Sequence, residues 1–428
     1  MRNPNTLKIY AAVRLGSLLL MGTAYAGGNS PMLQDEFTDH SHVMVAPQSH
    51  QQGPEFDALV QSTLKQADMG AQQGKVQEDE GNRPIRVLSL DGGGIRGVGV
   101  AEILSVIEAR VKALAGKALH ELFDLVVGTS TGGIIATALG MGLSGNELVN
   151  IYKEDAPEIF KKRWFGGIIG AKYNSDGLKK VIKRRVGDKK MKDAKTRIAV
   201  TTYNDKTRRT HLLTSETTSS DSINHDRMAL PAGELEVTKG LRATSAAPSF
   251  FKGKNISDND LFGNKDKKAT KHKFVDGGVS ANNPTKLAQA YAKRLLKEGA
   301  FGENHKRKIQ IVSIGTGEAD ALVLERDAGM FGFGSPANLP GYFMDAAGAE
   351  VHAAMKEEMK ERKNYFRLQF QIAAGYTAEL DDTSPKYIQM LINQAHKATE
   401  TEYFDQMIQV LCGQTIKKVI TAGFKVAA

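Results

Sequence analysis

Residues 87–100 read VLSLDGGGIRGVGV, in which three consecutive glycines separate an apolar, strand-like run from a helical pattern. Glycine has no Cβ atom, so a turn of glycines lets a second molecule approach the backbone N–H groups closely. Those N–H groups would stand at the start of a helix, where the helix dipole favours negative charge. The stretch therefore predicts a strand–turn–helix unit that presents bare amides to a ligand.

Strand and helix patterns alternate along the chain on both sides of this turn. Strand-like runs lie at 85–90, 122–128, 196–204, 210–215 and 308–317. Helical patterns lie between them at 100–114, 131–142 and 284–298. Such alternation is typical of a parallel sheet covered by helices. We therefore predict an α/β fold with a mostly parallel central sheet flanked by helices.

The composition excludes several classes of protein. Of the 428 residues, 41% are hydrophobic and 25% are charged, and no run beyond the N-terminal segment approaches a membrane-spanning length. Cys412 is the only cysteine, which excludes an internal disulfide and a site of several thiolates. The net charge of +9 favours anionic surfaces such as phospholipid headgroups or nucleic acid, although many proteins without such a partner carry as much.

A second glycine-rich turn, VVGTSTGG at 126–133, contains the pattern G-x-S-x-G at Gly128, Ser130 and Gly132. In a nucleophile elbow the serine lies on a sharp strand-to-helix turn that leaves no room for neighbouring Cβ atoms. Here the pattern follows an apolar strand and precedes a helix, which is the required context. It predicts Ser130 as a nucleophile, and the alternative is a turn of small residues chosen for packing.

The first turn complements a nucleophilic serine. Ester cleavage develops negative charge on the carbonyl oxygen, and fixed backbone N–H donors stabilise that charge. We predict that Gly92, Gly93 and Gly94 supply these donors. Arg96 would anchor the loop or meet a phosphate.

The same loop also satisfies the dinucleotide-binding pattern G-x-G-x-x-G at Gly92, Gly94 and Gly97. That pattern expects an acidic residue at the end of the next strand, where it would bind the ribose. The next strand ends in the G-x-S-x-G turn instead. A nucleotide-dependent oxidoreductase is therefore the weaker reading of this loop.

A third turn, FVDGGVSANNP at 274–284, places Asp276 at the end of a short strand, followed by Gly277 and Gly278. A carboxylate at this position would lie at the same edge of the sheet as the other two turns. Ser130 and Asp276 are far apart in sequence, so only the fold can bring them together. On its own, Asp-Gly-Gly is usually just a turn.

Taken in order, DGGGIRG, GTSTGG and DGG resemble the patatin-like phospholipase family, and RATSAAPSFF at 242–251 resembles a further block of that family. The resemblance covers residues 85–317. It implies a three-layer α/β sandwich and a lipid acyl hydrolase of the phospholipase A type, which needs no metal or cofactor. The resemblance implies these roles: Ser130 as nucleophile, Asp276 as proton acceptor, Gly92, Gly93 and Gly94 as oxyanion loop, and Arg96, Gly97, Gly128, Gly132, Gly277 and Gly278 as motif support.

A histidine-containing triad is the alternative mechanism, since other hydrolases with a nucleophile elbow use one. The candidates after Asp276 are His305, His352 and His396, and none ends an apolar strand. His272 precedes Asp276 by four residues, about 13 Å along an extended strand, which is too far to pair with it. We expect all four to be surface residues.

The domain prediction has four parts. Residues 1–26 combine basic residues, a short apolar core and an Ala-x-Ala site, which indicates a signal peptide. Residues 27–83 are polar and predict a linker or disordered lead. We expect a catalytic domain over 84–320 and a helical extension packed on it over 321–428. The signal predicts export to the periplasm or medium, with host membranes as one place of action.

The predicted partners are a phospholipid or other acyl-ester substrate and, through peripheral contact, a membrane surface; nucleic acid is not predicted. The basic and aromatic segment 160–169 suits a lipid interface, although packing of its aromatics into the core is the commoner use of such a pattern. The glycine-rich apolar loop 328–344 suits a lid. A catalytically silent lipid-binding or storage protein on the same scaffold is the alternative function.

Overall fold

The structure is a computed structural model that describes residues 81–161, 171–217, 227–319, 339–359, 361–376 and 378–413. The predicted signal peptide and nearly all of the predicted linker lie outside these residues. So do most of the segment 160–169 and the first part of the loop 328–344. None of the described helices is long and apolar enough to cross a membrane.

Strands and helices alternate through the described residues. The strands are β1 (Ile85–Leu90), β2 (Leu125–Gly128), β3 (Arg197–Asn204), β4 (Arg209–Thr214), β5 (Ala229–Pro231), β6 (Lys254–Ser257), β7 (Lys271–Asp276), β8 (Ile309–Ile314) and β9 (Tyr365–Leu368). The helices are α1 (Gly97–Ala115), α2 (Leu119–Leu122), α3 (Thr131–Gly140), α4 (Gly145–Ile159), α5 (Ser175–Val186), α6 (Val237–Thr244), α7 (Asp258–Phe262), α8 (Gly278–Ala281), α9 (Thr285–Lys297), α10 (Leu339–Glu358), α11 (Pro385–Lys397) and α12 (Glu402–Leu411).

These strands form one mixed sheet in the order β5-β4-β3-β2-β1-β8-β9, to which β7 adds beside β3 and β6 beside β7. The pairs β1–β2, β1–β8, β2–β3, β8–β9 and β4–β5 are parallel, whereas β3–β4, β3–β7 and β6–β7 are antiparallel. All six residues of β1 are buried, as expected for a central strand with helices on both faces. The predicted α/β fold with a mostly parallel sheet is confirmed.

Alternate residues of the central strands serve two cores, one on each face of the sheet. Leu88 and Leu90 contribute to the larger core, which α1, α3, α4, α5, α11 and α12 cover. Ile85 and Val87 contribute to the smaller core, which α9 and α10 cover. The arrangement therefore has three layers, with the sheet between two layers of helices.

Strands β2 and β7 pair with the same side of β3, β2 along its first half and β7 along its end. Gly128 at the end of β2 pairs with Val200, and Asp276 at the end of β7 pairs with Thr202. Because β2 runs parallel to β3 and β7 runs antiparallel to it, the carboxyl ends of β2 and β7 point toward each other. Two residues of β3, about 7 Å, separate the two pairing positions.

The C-terminal segment contributes to the sheet as well as to the helical layers. We expected a helical extension over 321–428, and α10, α11 and α12 fall in that range. The same range also contains β9, which pairs in parallel with β8 and forms an edge of the central sheet. A strand of only four residues, flanked by polar residues, is too short to show an alternating hydrophobic pattern that would identify it from the sequence.

Candidate active site

Ser130 occupies the sharp turn between β2 and α3. Its backbone has φ 54° and ψ −118°, a conformation that a residue with a Cβ rarely adopts. A Cβ on Gly128 would lie 2.1 Å from the carbonyl oxygen of Gly132, and one on Gly132 would lie 2.4 Å from that of Leu90. The two motif glycines are therefore required by the closeness of the turn, as predicted for an elbow.

Asp276 meets this serine from the end of β7. Ser130 and Asp276 line the same cavity, and Oδ1 of Asp276 accepts a hydrogen bond from the backbone N–H of Gly278 at 2.7 Å. Gly277 is held close to β3, where an added Cβ would lie 2.1 Å from the hydroxyl oxygen of Thr201. The structure thus brings together the two side chains that the sequence predicted as a catalytic pair.

Burial changes the acidity of Asp276. The residue is 4% exposed, and desolvation raises the pKa of its carboxyl group to about 7, although the nearby Ser130 side chain and the hydrogen bond from the Gly278 N–H act in the opposite direction. A carboxylate with this pKa binds a proton readily near neutral pH. Asp276 can therefore act as a general base without an intervening histidine.

The glycine loop after β1 differs from the prediction at one position. The N–H of Gly92 donates to the carbonyl oxygen of Asn282 at 3.1 Å, so it is already paired. Gly93 and Gly94 line the cavity in front of Ser130, and their N–H groups have no acceptor among the described residues. Two of the three predicted glycines are thus free to donate to a ligand.

A further free amide lies directly after the serine. The N–H of Thr131, the first residue of α3, has no acceptor within the described part of the chain, and Thr131 lines the same cavity. The residue after the nucleophile supplies an oxyanion donor in other enzymes with a nucleophile elbow. The G-x-S-x-G pattern itself is the signal for this donor, because it fixes which residue follows the serine.

Arg96 and Gly97 support the loop from behind. Arg96 is fully buried, donates from Nη1 to the carbonyl oxygen of Gly317 at 3.1 Å and does not line the cavity. Of the two predicted roles, this position fits an anchor for the loop. Gly97 begins α1 where an added Cβ would lie 2.3 Å from the Thr131 hydroxyl oxygen.

An apolar cavity of about 370 Å³ opens in front of Ser130 and Asp276. Its walls come from α3, α4, α5, the segment after α6 and the loop before α11; its apolar lining includes Ile134, Ile159, Leu178, Phe250, Phe251 and Leu380. Polar groups are concentrated at the end that holds the serine and aspartate. A long apolar chain with one polar, electrophilic group matches this division.

The four histidines weighed as triad members lie elsewhere and have other partners. Nδ1 of His305 contacts the carbonyl oxygen of Leu296 at 2.8 Å, and Nδ1 of His352 contacts the Tyr365 hydroxyl at 3.0 Å. The remaining two have carboxylate partners: His272 with Asp258 at 2.8 Å and His396 with Glu102 at 3.0 Å. The expectation of surface positions is wrong for His272, which is only 5% exposed.

No cluster that could hold a metal ion is found among the residues that the structure describes. The cavity itself contains one carboxylate, Asp276, among its lining residues. A single buried carboxylate is a poor match for the six or more oxygen ligands of Ca²⁺.

Comparison with known proteins identifies the relatives of this chain. The sequence profile of the family described as Patatin-like phospholipase matches residues 88–288. The chain is 27% identical over 341 residues to Patatin-like protein 2 of Arabidopsis thaliana, which covers 72% of this chain and 81% of the relative. It is 27% identical over 331 residues to Patatin group D-2 of Solanum tuberosum, covering 72% and 82%.

Among solved structures, the human GIVD cytosolic phospholipase A2 is similar with a TM-score of 0.40 and 10% sequence identity. That match covers 84% of this chain and 65% of the other.

Proposed function

We propose that the chain, whose residues 88–288 match the family described as Patatin-like phospholipase, is a lipid acyl hydrolase that cleaves fatty acyl esters of phospholipids or related lipids. The observation that carries the proposal is that Ser130, on its sharp turn, and the buried Asp276 line the same apolar cavity. The reaction would pass through an acyl-serine intermediate.

In the first half of the reaction, Asp276 takes the proton of the Ser130 hydroxyl while Oγ attacks the ester carbonyl carbon. The carbonyl oxygen becomes negatively charged and accepts hydrogen bonds from the free N–H groups of Gly93, Gly94 and Thr131. Collapse of this intermediate breaks the ester bond, and the departing alcohol oxygen takes the proton from Asp276. The acyl group remains on Ser130.

In the second half, water replaces the alcohol. Asp276 takes a proton from the water, whose oxygen attacks the acyl carbon, and the same amides hold the second oxyanion. The bond to Ser130 breaks, Oγ recovers the proton from Asp276, and the fatty acid leaves. One residue thus serves as base and acid in both halves, which the pKa of about 7 for Asp276 supports.

The cavity suggests where the acyl chain lies. Its apolar walls leave the ester at the polar end and the hydrocarbon among aliphatic and aromatic side chains. Burial of each CH₂ group would contribute about 0.8 kcal/mol, so a long acyl chain gains most of its binding free energy here.

Contact with a membrane surface is a second part of the proposal. Val279 directly follows the Asp276–Gly278 turn, lines the cavity and is 53% exposed, which is unusual for a large aliphatic residue. An exposed apolar residue at the mouth can enter the edge of a lipid layer while the cavity receives a chain from it. Export, which only the sequence of residues 1–26 supports, would bring the enzyme to lipids outside the cytoplasm.

The test is covalent labelling with a fluorophosphonate probe, which reacts with activated serines. Wild-type protein should acquire one adduct, located at Ser130 by peptide mass spectrometry, and should release fatty acid from a mixed lipid extract. Ser130→Ala should remain folded and do neither. A silent binding or storage protein would instead bind lipid without forming an adduct, and that result would contradict the proposal.

A further inference from the structure

The glycine loop is tied to the far edge of the sheet by a buried ion pair. Arg367 on β9 approaches the Asp91 carboxylate with both guanidinium nitrogens, Nη1 at 3.0 Å from Oδ1 and Nη2 at 2.6 Å from Oδ2. The two side chains are 9% and 5% exposed. Asp91 is the residue immediately before the three glycines, so this contact fixes the start of the loop.

The same arginine is part of a polar row across the sheet. Ser313 on β8 pairs with Ser89 on β1 and, on its other side, with Arg367 on β9. The three residues lie on the face of the sheet that α9 covers. Arg367 donates from Nη1 to the Ser313 hydroxyl at 2.8 Å, and the hydroxyls of Ser313 and Ser89 each lie 2.9 Å from that of Thr285. Buried polar groups connected in this way hold one another in a single geometry.

The row ends at the turn that carries the candidate base. The Thr285 hydroxyl donates to Asn283 Oδ1 at 2.6 Å, and the neighbouring Asn282 pairs with Gly92 through its backbone oxygen at 3.1 Å and through Nδ2 at 3.3 Å. The network therefore connects the loop of Gly93 and Gly94 with the segment that follows Asp276.

Neither Asp91 nor Arg367 lines the cavity, so neither can touch a substrate there. Burying two charges is costly, and apolar residues would stabilise most interiors equally well or better. A planar guanidinium that binds a carboxylate through two hydrogen bonds does, however, fix the orientation of its partner.

We propose that Arg367 is a positioning residue: through Asp91 it holds the amides of Gly93 and Gly94 where the oxyanion forms. The proposal rests on the proposed function and extends it to a residue outside the family-matched range 88–288. Misplaced donors would weaken binding of the transition state and leave binding of the ground state nearly unchanged.

The test compares kcat, KM and melting temperature for Arg367→Met, Arg367→Lys and the double variant Asp91→Asn/Arg367→Met on a soluble ester. Arg367→Met should lower kcat by about 10- to 100-fold, less than the ~10²–10³ expected for losing an oxyanion donor outright. KM should stay within about threefold of the wild-type value. Lysine cannot form the two-pronged contact, so Arg367→Lys should also lose kcat while keeping the charge.

The double variant separates positioning from stability. It removes both buried charges, so its melting temperature should recover relative to Arg367→Met, while kcat should stay low because the orienting contact is still missing. A purely structural role predicts that kcat recovers together with the melting temperature. If Arg367→Met does not fold, kcat and melting temperature are compared between the wild type, Arg367→Lys and the double variant instead.

Arg83→Met provides the matched control. Arg83 forms a two-pronged pair with Asp124, at 2.7 Å for both contacts, far from the glycine loop. This variant should melt at a lower temperature with kcat unchanged. An active wild type whose Arg367 variants keep kcat would overturn the positioning role alone, whereas an inactive wild type would contradict the proposed function as well.

Discussion

Each end of the central strands has a two-pronged arginine–aspartate ion pair, and the two pairs have different structural roles. At the amino end, Arg83 binds Asp124 just before β2, and Asp124 also accepts a hydrogen bond from the N–H of Arg86 at 2.8 Å. At the carboxyl end, Arg367 binds Asp91 just after β1. The first pair fastens the beginnings of two strands, while the second lies behind a loop whose amides are free.

The surroundings of the two pairs explain the difference. The amino end borders a groove lined by charged side chains such as Lys195, Arg197 and Glu216, which water can solvate. The carboxyl end borders the apolar cavity, which is lined by the candidate nucleophile Ser130 and the candidate base Asp276. In open α/β sheets, ligands bind beyond the carboxyl ends of the strands, because turns there expose backbone amides and helix N-termini. Changes at the carboxyl end should therefore alter activity, and changes at the amino end should alter stability alone.

The largest expected effect follows from Asp276→Asn. An amide cannot accept the serine proton, so kcat should fall by at least about 10³-fold in an assay with a soluble ester. A variant that keeps most of its turnover would show that the base lies elsewhere.

The stability of the same variant checks the buried carboxyl group. Because the folded-state pKa of Asp276 is raised to about 7, the wild type pays for a buried charge above pH 7 and is relieved of it as the pH falls toward 4. Asp276→Asn should therefore be more stable than the wild type above pH 7, with the difference disappearing near pH 4. Urea unfolding at several pH values measures it.

Gly94→Ala should have the next largest effect. Gly94 has φ +59°, and an added Cβ would lie 2.1 Å from the carbonyl oxygen of Leu380, so the loop would have to move. We expect kcat to fall by about 10²–10³, as for the loss of an oxyanion donor. Unchanged kcat in a folded variant would exclude this loop from the oxyanion site.

The activity of the wild type should depend on pH, with a smaller effect than that of the substitutions above. Only the carboxylate form of Asp276 can accept the serine proton, so kcat/KM for a neutral ester should rise about tenfold per pH unit up to about pH 7 and then level off. A rate that is already constant between pH 5 and 8 would contradict the raised pKa.

At the amino end, Arg83→Met sharpens the comparison through stability. It leaves the Asp124 carboxylate, which is 14% exposed, without its two guanidinium contacts, and should cost about 1–3 kcal/mol of unfolding free energy. Urea unfolding measures this loss, and a simultaneous fall in kcat would show that the two ends are coupled.

The smallest effect concerns the strained backbone of Ser130. A residue with a Cβ in this conformation costs about 1–3 kcal/mol, and glycine avoids most of that cost while adding unfolded-state entropy. Ser130→Gly should therefore be about 1 kcal/mol more stable than Ser130→Ala, with both inactive. Equal stabilities would indicate that the turn is not strained.

The local parts of the site could be predicted from the sequence, because each is a turn with its own requirement for small residues. The elbow around Ser130 and the glycine loop have recognisable patterns of this kind. The approach of Asp276 could be predicted only as a position at the end of a strand. That β7 runs against β3, and so meets β2 end to end, depends on pairings between distant segments.

Arg367 illustrates what the sequence could not provide. It lies in a four-residue strand beyond the family resemblance, and its partner Asp91 is 276 positions away in the chain. The pairing of Gly92 with Asn282, which removes one predicted donor, is equally non-local. Charge and spacing alone do not indicate which of many arginines reaches a given carboxylate.

The end-to-end meeting of β2 and β7 has a consequence for biosynthesis. A nascent chain that has emerged only as far as α3 contains Ser130 but neither Asp276, its proposed proton acceptor, nor the edge strand β9. Hydrolytic competence must therefore wait until segments from the second half of the polypeptide have docked. If the chain is the proposed lipid hydrolase, an incompletely synthesised chain would therefore not hydrolyse lipids of the cell that makes it.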